Sequence, residues 1–343
     1  MKKFFSDSHL LWCQNTDSIP LVVLGHESSC DVYSPEMVFL GSVELPFRPG
    51  AYLVVSKTSF LVFDNMTNRH GIVDIEKSKF TPNKSPLGTS NNKMLLHSAI
   101  YQVDDGFVFF PIHTLSRDKT FFYSPLTNKF KRIDMELPDI CFSFRAGKHG
   151  AFYLQDEEGN LKACSFKTAF EKRKFVPEMT VEKELFSDYV YADRKDDLPS
   201  AVAYLSIEKK TLILAVQDKP DLNAFKEYLK KNGSTIIDKA ALGSIEFKQS
   251  GKVVLIKNGA QKKVVSLETI PFKPFFQPFL DSVVFVNYTA YSTEDLSLLA
   301  TSPALGPMPL FLPDGKLIYN VLNDDVCITD SSPCAIASKS WLK

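Results

Sequence analysis

Tyr123-Ser124-Pro125-Leu126-Thr127-Asn128-Lys129-Phe130 is the stretch on which the fold reading turns. The same phrase returns as Tyr33-Ser34-Pro35 leading to Phe39, and in altered form as Val73-Asp74-Ile75-Glu76 leading to Phe80. A basic variant, Lys167 to Phe175, ends in the same aromatic. The markers Phe39, Phe80, Phe130 and Phe175 stand about 41, 50 and 45 residues apart, near the period of a propeller blade.

Around these phrases, residues 19 to 175 read as short strands broken by turns. Leu21-Val22-Val23-Leu24 and Ala51-Tyr52-Leu53-Val54-Val55 are β-branched or aromatic runs, and Ser59-Phe60-Leu61-Val62-Phe63 follows the second at hairpin distance. Asp105-Gly106 lies between Ile100–Val103 and Phe107–Phe110, which predicts a hairpin. Glu158-Gly159-Asn160 separates two further strands in the same way.

After residue 176 the texture changes. Pro220-Asp221 opens a helical pattern over 221–231, with Asp221 as cap, Leu222, Phe225 and Leu229 at helical spacing, and Asn232-Gly233 as the stop. An insertion over 176–245 carrying this helix is expected. Hairpin signals resume at Ser250-Gly251, Asn258-Gly259 and Asp314-Gly315. Between them, Pro271-Phe272-Lys273-Pro274-Phe275-Phe276-Gln277-Pro278-Phe279 reads as a connector, because three prolines exclude a central strand.

Many strands, little helix and antiparallel turns call for closure, since a long open sheet twists apart or exposes its edges. The tyrosine phrases resemble the outer strand of kelch-type and F-box-associated propeller blades, where Tyr-x-Pro-x-Thr-x-x-Phe/Trp recurs. Tyr123 to Phe130 is the best match and Tyr33 to Phe39 the next. The resemblance implies a mainly β chain: a degenerate β-propeller of antiparallel blades over residues 1–343, with a small helical insertion. A β-sandwich plus a small α/β domain is the alternative.

Composition narrows the function classes. The chain has 343 residues, enough for a large core, and its 40 basic and 40 acidic residues cancel to zero formal charge. No long-range field draws it to nucleic acid or an acidic membrane, and only seven of the basic residues are arginine. No nucleic acid is expected as a partner. The six cysteines (Cys13, Cys30, Cys141, Cys164, Cys327, Cys334) include no C-x-x-C pair and read as free thiols of a reducing compartment. Met1-Lys2-Lys3-Phe4-Phe5 begins like a secretion signal, but Ser6-Asp7-Ser8 breaks the apolar run. The uncharged run from Leu296 to Pro313 holds four prolines, so no membrane insertion is expected. A cytoplasmic protein without a Sec signal is the expectation, with non-Sec secretion left open.

The chemistry-bearing residues form no catalytic signature. His26-Glu27-Ser28-Ser29-Cys30 imitates a zinc-peptidase motif with Cys30 in the second ligand position, yet it reads as a loop between strands. Asp104-Asp105, Asp156-Glu157-Glu158, Asp196-Asp197 and Asp324-Asp325 sit where turns are expected. His9, His26, His70, His97, His113 and His149 lack metal-ligand spacing. Lys167 to Phe175 reads as a solvated strand edge rather than a single-strand binder. No catalytic residue, cofactor or metal is expected. The function expected is a non-catalytic scaffold for another protein, with Phe272, Phe275, Phe276 and Phe279 as its partner-binding residues. A hydrolase or lyase, with carboxylates or histidines from separate blades meeting in the central funnel, is the alternative.

Overall fold

The computed structural model describes residues 3–13, 21–86, 95, 98–110, 119–138, 142–143, 150–186, 201–217, 249–270, 276–279, 282–286, 289–301, 310–312, 316–321 and 325–328. Among these, consecutive strands pair with their neighbours to give seven sheets, and each is a blade of a β-propeller. Blade 1 is His9–Leu10, Val22–Gly25, Ser29–Tyr33 and Phe39–Glu44, and blade 2 is Pro49–Ser56, Ser59–Asp64, His70–Asp74 and Lys79–Asn83. Ala99–Val103, Gly106–Phe110, Thr120–Ser124 and Lys129–Ile133 make blade 3, and Phe142–Ser143, Ala151–Gln155, Leu161–Ser165 and Met179–Val181 make blade 4. Blade 5 is Val202–Ser206, Thr211–Gln217, Gln249–Lys257 and Ala260–Ile270, and blade 6 is Phe276–Phe279, Val283–Val286, Thr289–Ser292 and Leu298–Thr301. Blade 7 takes Leu310–Phe311, Leu317–Val321 and Asp325–Ile328 from the late chain. Its fourth strand is Lys3–Phe5, which runs antiparallel to Asp325–Ile328.

Burial explains why the alternative sandwich does not form. A sandwich strand alternates between core and solvent, whereas the second strands here are buried on both faces. Val22–Gly25 and Gly106–Phe110 are buried throughout, while the fourth strands Lys79–Asn83 and Lys129–Ile133 are mostly exposed. Each blade covers its neighbour's face, and the apolar clusters therefore span blade pairs. Tyr52, Phe60 and Val62 of blade 2 pack with Val23, Val32 and Val43 of blade 1. Phe110 of blade 3 meets Phe152 and Phe166 of blade 4 at 4.8 and 5.0 Å between ring centroids.

The recurrent phrase is the turn between third and fourth strands. Tyr123 ends one strand and Phe130 stands opposite it on the next, with their rings 4.9 Å apart. Asn128 turns the chain with φ 50°, a backbone region that asparagine tolerates, and its Oδ1 accepts the Tyr123 hydroxyl at 2.9 Å. Tyr33 and Phe39 repeat the pairing edge to face at 5.5 Å, and Val73 stands opposite Phe80 in blade 2.

Three expectations are altered. Lys167 to Phe175 is not a strand edge: Phe166–Lys172 is helix α1, set between the third and fourth strands of blade 4. Ser165 caps it, its Oγ accepting from Thr168 N–H at 3.1 Å and donating to Glu178 at 2.8 Å, while Phe166 and Ala169 face the core. The connector 271–279 is partly a strand. Phe276–Phe279 opens blade 6 with Pro278 opposite Val284, a position open to proline because the first strand is a sheet edge. Of the expected insertion at 176–245, Met179–Val181, Val202–Ser206 and Thr211–Gln217 serve as blade strands, and the helix at 221–231 lies outside the described residues. Among the described residues no helix is long and apolar enough to cross a membrane.

Interblade packing sets the expected stability response. Phe110→Ala removes a fully buried ring from the junction of blades 3 and 4 and lowers unfolding free energy by about 3–5 kcal/mol. Leu126→Ala, at a turn tip where the side chain is 95% exposed, changes it by less than about 0.5 kcal/mol. Urea denaturation of both variants checks the contrast.

Candidate functional site

A groove of about 300 Å³ opens beside blade 2, lined by Pro46, Phe47, Arg69, His70, Phe80, Pro82, Asn83, Lys84 and Ser85. Pro46 and Phe47 lie on the link from blade 1. Phe80, Pro82 and Asn83 come from the fourth strand of blade 2, and His70 begins its third strand. Phe47 and Phe80 meet edge to face at 5.6 Å. Phe80 lies against Gly71, where an added Cβ would fall 2.5 Å from its ring and 2.4 Å from the Thr81 carbonyl. Glycine is required there by this close approach.

A buried carboxylate organises the polar side of the groove. Asp64 ends the second strand of blade 2, and its Oδ1 accepts Met66 N–H at 2.9 Å. Its Oδ2 accepts the Thr67 hydroxyl at 2.6 Å and Arg69 Nε–H at 2.7 Å. Burial raises the Asp64 pKa, but the Thr67, Met66 and Arg69 donors outweigh it and hold the carboxyl below its ordinary value. Arg69 in turn donates to Pro46 O at 3.2 Å and sets its guanidinium 5.4 Å from the Phe47 ring centroid.

His70 is 1% exposed. Its ring stacks on Phe63 at 6.0 Å and meets the edge of Phe130 at 5.1 Å. The Asn68 carbonyl, 3.1 Å from Nδ1, can only accept, so the proton of the neutral ring sits on Nδ1. Nε2 is left as an acceptor without a hydrogen-bond partner among the described residues. Burial pushes the His70 pKa down, so the ring is neutral at pH 7. The Asp64 carboxylate is occupied by its three donors, and no carboxylate or thiol is among the described lining residues beside the imidazole. The described lining thus combines apolar Pro46, Phe47, Phe80 and Pro82 with the cationic Arg69 and Lys84.

The other candidate residues are dispersed. His26 occupies the turn after Val22–Gly25, 3.2 Å from Asp31, with Nδ1 2.9 Å from Asp7 O. Burial, aided by Asp31, raises the Cys30 thiol to about 12, which keeps it protonated. His9 Nε2 donates to Pro49 O at 2.7 Å. Asp104-Asp105 forms a two-residue hairpin turn. Asp156 accepts Asn160 N–H at 2.8 Å and pairs with Lys162 at 3.4 Å. His97, His113, His149, Asp196, Asp197 and Asp324 lie outside the described residues, as do Phe272 and Phe275. Phe276 and Phe279 are placed by their backbone on the first strand of blade 6. Among the described residues no three His, Cys, Asp or Glu side chains gather in metal-binding range. Reading the sequence missed Arg69 and Lys84. The signal for Arg69 was Asp64 ending an apolar strand with Thr67 and Arg69 three and five residues on, but the burial of Asp64 is not written in that spacing.

Both site shifts make stability fall on acidification. His70 opposes protonation in the fold, so its contribution is whole above the unfolded value of about 6.5 and is lost as pH falls through the lowered folded value. Asp64 contributes above about pH 4 and loses that stability as pH falls through its own lowered value. Thermal unfolding across this range is expected to decline in two stages. His70→Phe removes the upper stage, and Asp64→Asn removes the lower stage while costing about 1–3 kcal/mol at neutral pH.

No family model matches the chain, and no curated protein matches it. Solved structures similar to it include the β-propeller domain of Cps50 (Swd1) from Myceliophteria thermophila, at 8% identity and a TM-score of 0.48, covering 96% of this chain and 100% of that one. The WD40 domain of Neurospora crassa Pan2 is similar at 8% identity and a TM-score of 0.44, covering 94% and 88%. Dihydro-heme d1 dehydrogenase NirN in complex with DHE is similar at 12% identity and a TM-score of 0.43, where this chain spans 64% of that one. The propeller assignment rests on the seven sheets among the described residues of this chain itself.

Proposed function

We propose that this protein is a non-catalytic interaction scaffold that holds a side chain of another protein in the blade 2 groove. The observation that carries the proposal is the groove itself: apolar walls from Phe47, Phe80, Pro46 and Pro82, fixed in place by the buried Asp64 network, with Arg69 and Lys84 at the rim. A rigid apolar slot with a few oriented polar groups is what side-chain recognition requires. A second apolar surface supports the same reading. Val38, Phe39 and Leu40 are 59%, 55% and 44% exposed in a row where blade 1's fourth strand begins. Consecutive exposed apolar residues on an edge strand are uncommon unless something covers them.

A photo-crosslinking amino acid at Ser85 tests the groove, with one at Lys262, exposed on the fourth strand of blade 5, as control. One protein is expected to be trapped from the native lysate at Ser85 and not at Lys262. Phe80→Ala is expected to cut that capture about tenfold while the protein remains folded by circular dichroism. Equal trapping at both positions, or capture unchanged by Phe80→Ala, would remove the groove as the contact site.

A further inference from the structure

The structure places the basic phrase Lys167 to Phe175 beside a second basic segment far from it in sequence. The fourth strand of blade 3, Lys129–Ile133, continues to Glu136, which bridges Lys174 in parallel. Glu136 N–H donates to Arg173 O at 2.8 Å, and Phe175 N–H donates to Glu136 O at 3.1 Å. Half-buried Ile133, Leu137, Phe170 and Phe175 pack against the buried cluster that holds Phe110, Phe152 and Phe166. Lys129, Lys131, Arg132, Lys172, Arg173 and Lys174 are consequently brought onto one edge, all exposed. They face three exposed carboxylates, Asp134, Glu136 and Glu171, an excess of three positive charges on a chain of zero formal charge. Asp134 pairs with Arg132 at 3.2 Å, whereas Lys131, Lys172 and Lys174 have no ion pair among the described residues.

The edge is continuous with the groove. Asn83, which lines the groove, donates to Asn128 Oδ1 at 3.0 Å, next to Lys129, and His70 touches Phe130. The strand Lys129–Ile133, ahead of the bridged Glu136, covers about 13 Å, room for a partner segment of about five residues.

We infer that this edge binds an acidic, extended segment of the protein partner, its carboxylates meeting Lys129, Lys131, Lys172 and Lys174. The inference deepens the scaffold reading and rests on it for the class of partner. Lys129–Ile133 is the terminal strand of its sheet, so an extended peptide finds an open edge as well as complementary charge. A nucleic acid is disfavoured because the aromatic rings here are engaged: Tyr101 packs on Phe170 at 6.2 Å, and the Arg173 guanidinium covers Phe170 at 4.5 Å. Bases would find Phe170 already covered.

The test measures fluorescence anisotropy of a labelled peptide alternating glutamate with threonine, about twelve residues long, so that its carboxylates project from one side of a strand. The peptide is expected to bind the whole protein and to weaken about tenfold or more between about 50 and 300 mM salt. The combined variant Lys129→Glu, Lys131→Glu, Lys172→Glu, Lys174→Glu is expected to lose binding about tenfold or more with an unchanged melting temperature. Phe80→Ala is expected to leave it intact, so failure of the groove and failure of the edge are separable. Absence of peptide binding, indifference to the charge reversals, or tighter binding of an oligothymidine of equal length would overturn the inference.

Discussion

The structure depends on one closure. A blade has two faces to bury, and a row of seven blades leaves one face bare at each end unless the ends meet. Lys3–Phe5 joins the sheet of Asp325–Ile328, and the following residues continue the repair across the seam. His9–Leu10 opens blade 1, where Leu10 N–H donates to Asn320 Oδ1 of blade 7 at 2.6 Å. Trp12–Cys13 then runs parallel to Ala51–Tyr52 of blade 2. One short N-terminal run thus binds three blades by backbone pairing. A parallel pair at this point is possible because the run approaches blade 2 from outside its antiparallel meander.

Closure leaves the fourth strands and the turns as the surface on which function can vary. Both candidate surfaces described above use that freedom. The groove forms where the link from blade 1 passes under the outer part of blade 2, and its rigidity comes from Asp64, whose buried charge is tolerated only because three donors, the cationic Arg69 among them, satisfy it. The basic edge forms where α1 interrupts the regular turn between third and fourth strands of blade 4 and leans on blade 3. A departure from the repeat therefore creates the basic edge, consistent with function residing in the irregular parts of a repeat architecture.

Some local features were readable in advance because the physics behind them is local. The hairpin signalled by Asp105-Gly106 forms, with Asp104 and Asp105 as its turn residues and Gly106 opposite Val103, and the Tyr-Ser-Pro phrases mark third-to-fourth turns because the aromatics near the strand ends pack across the reversal. The Lys167 to Phe175 phrase misled because a mixture of bases and aromatics suits a solvated strand edge, whereas the capping by Ser165 and the buried pair Phe166 and Ala169 favour one helical turn after another. The prolines at 271–279 argued against a strand, but the argument holds for a central strand and Phe276–Phe279 is a first strand.

What the sequence by itself determined is the strand-and-turn rhythm and the antiparallel class, both of which depend on residues close together in the chain. Tertiary structure alone decided which surfaces exist. Arg69 and Phe47, Asn83 and Asn128, Glu136 and Lys174 are separated by about 20 to 45 residues and become neighbours only when blades stack. The physical reason is that interblade contacts are set by apolar burial, which is non-directional. Apolar patterning records that a face must be covered, and the geometry of the closed ring selects what covers it.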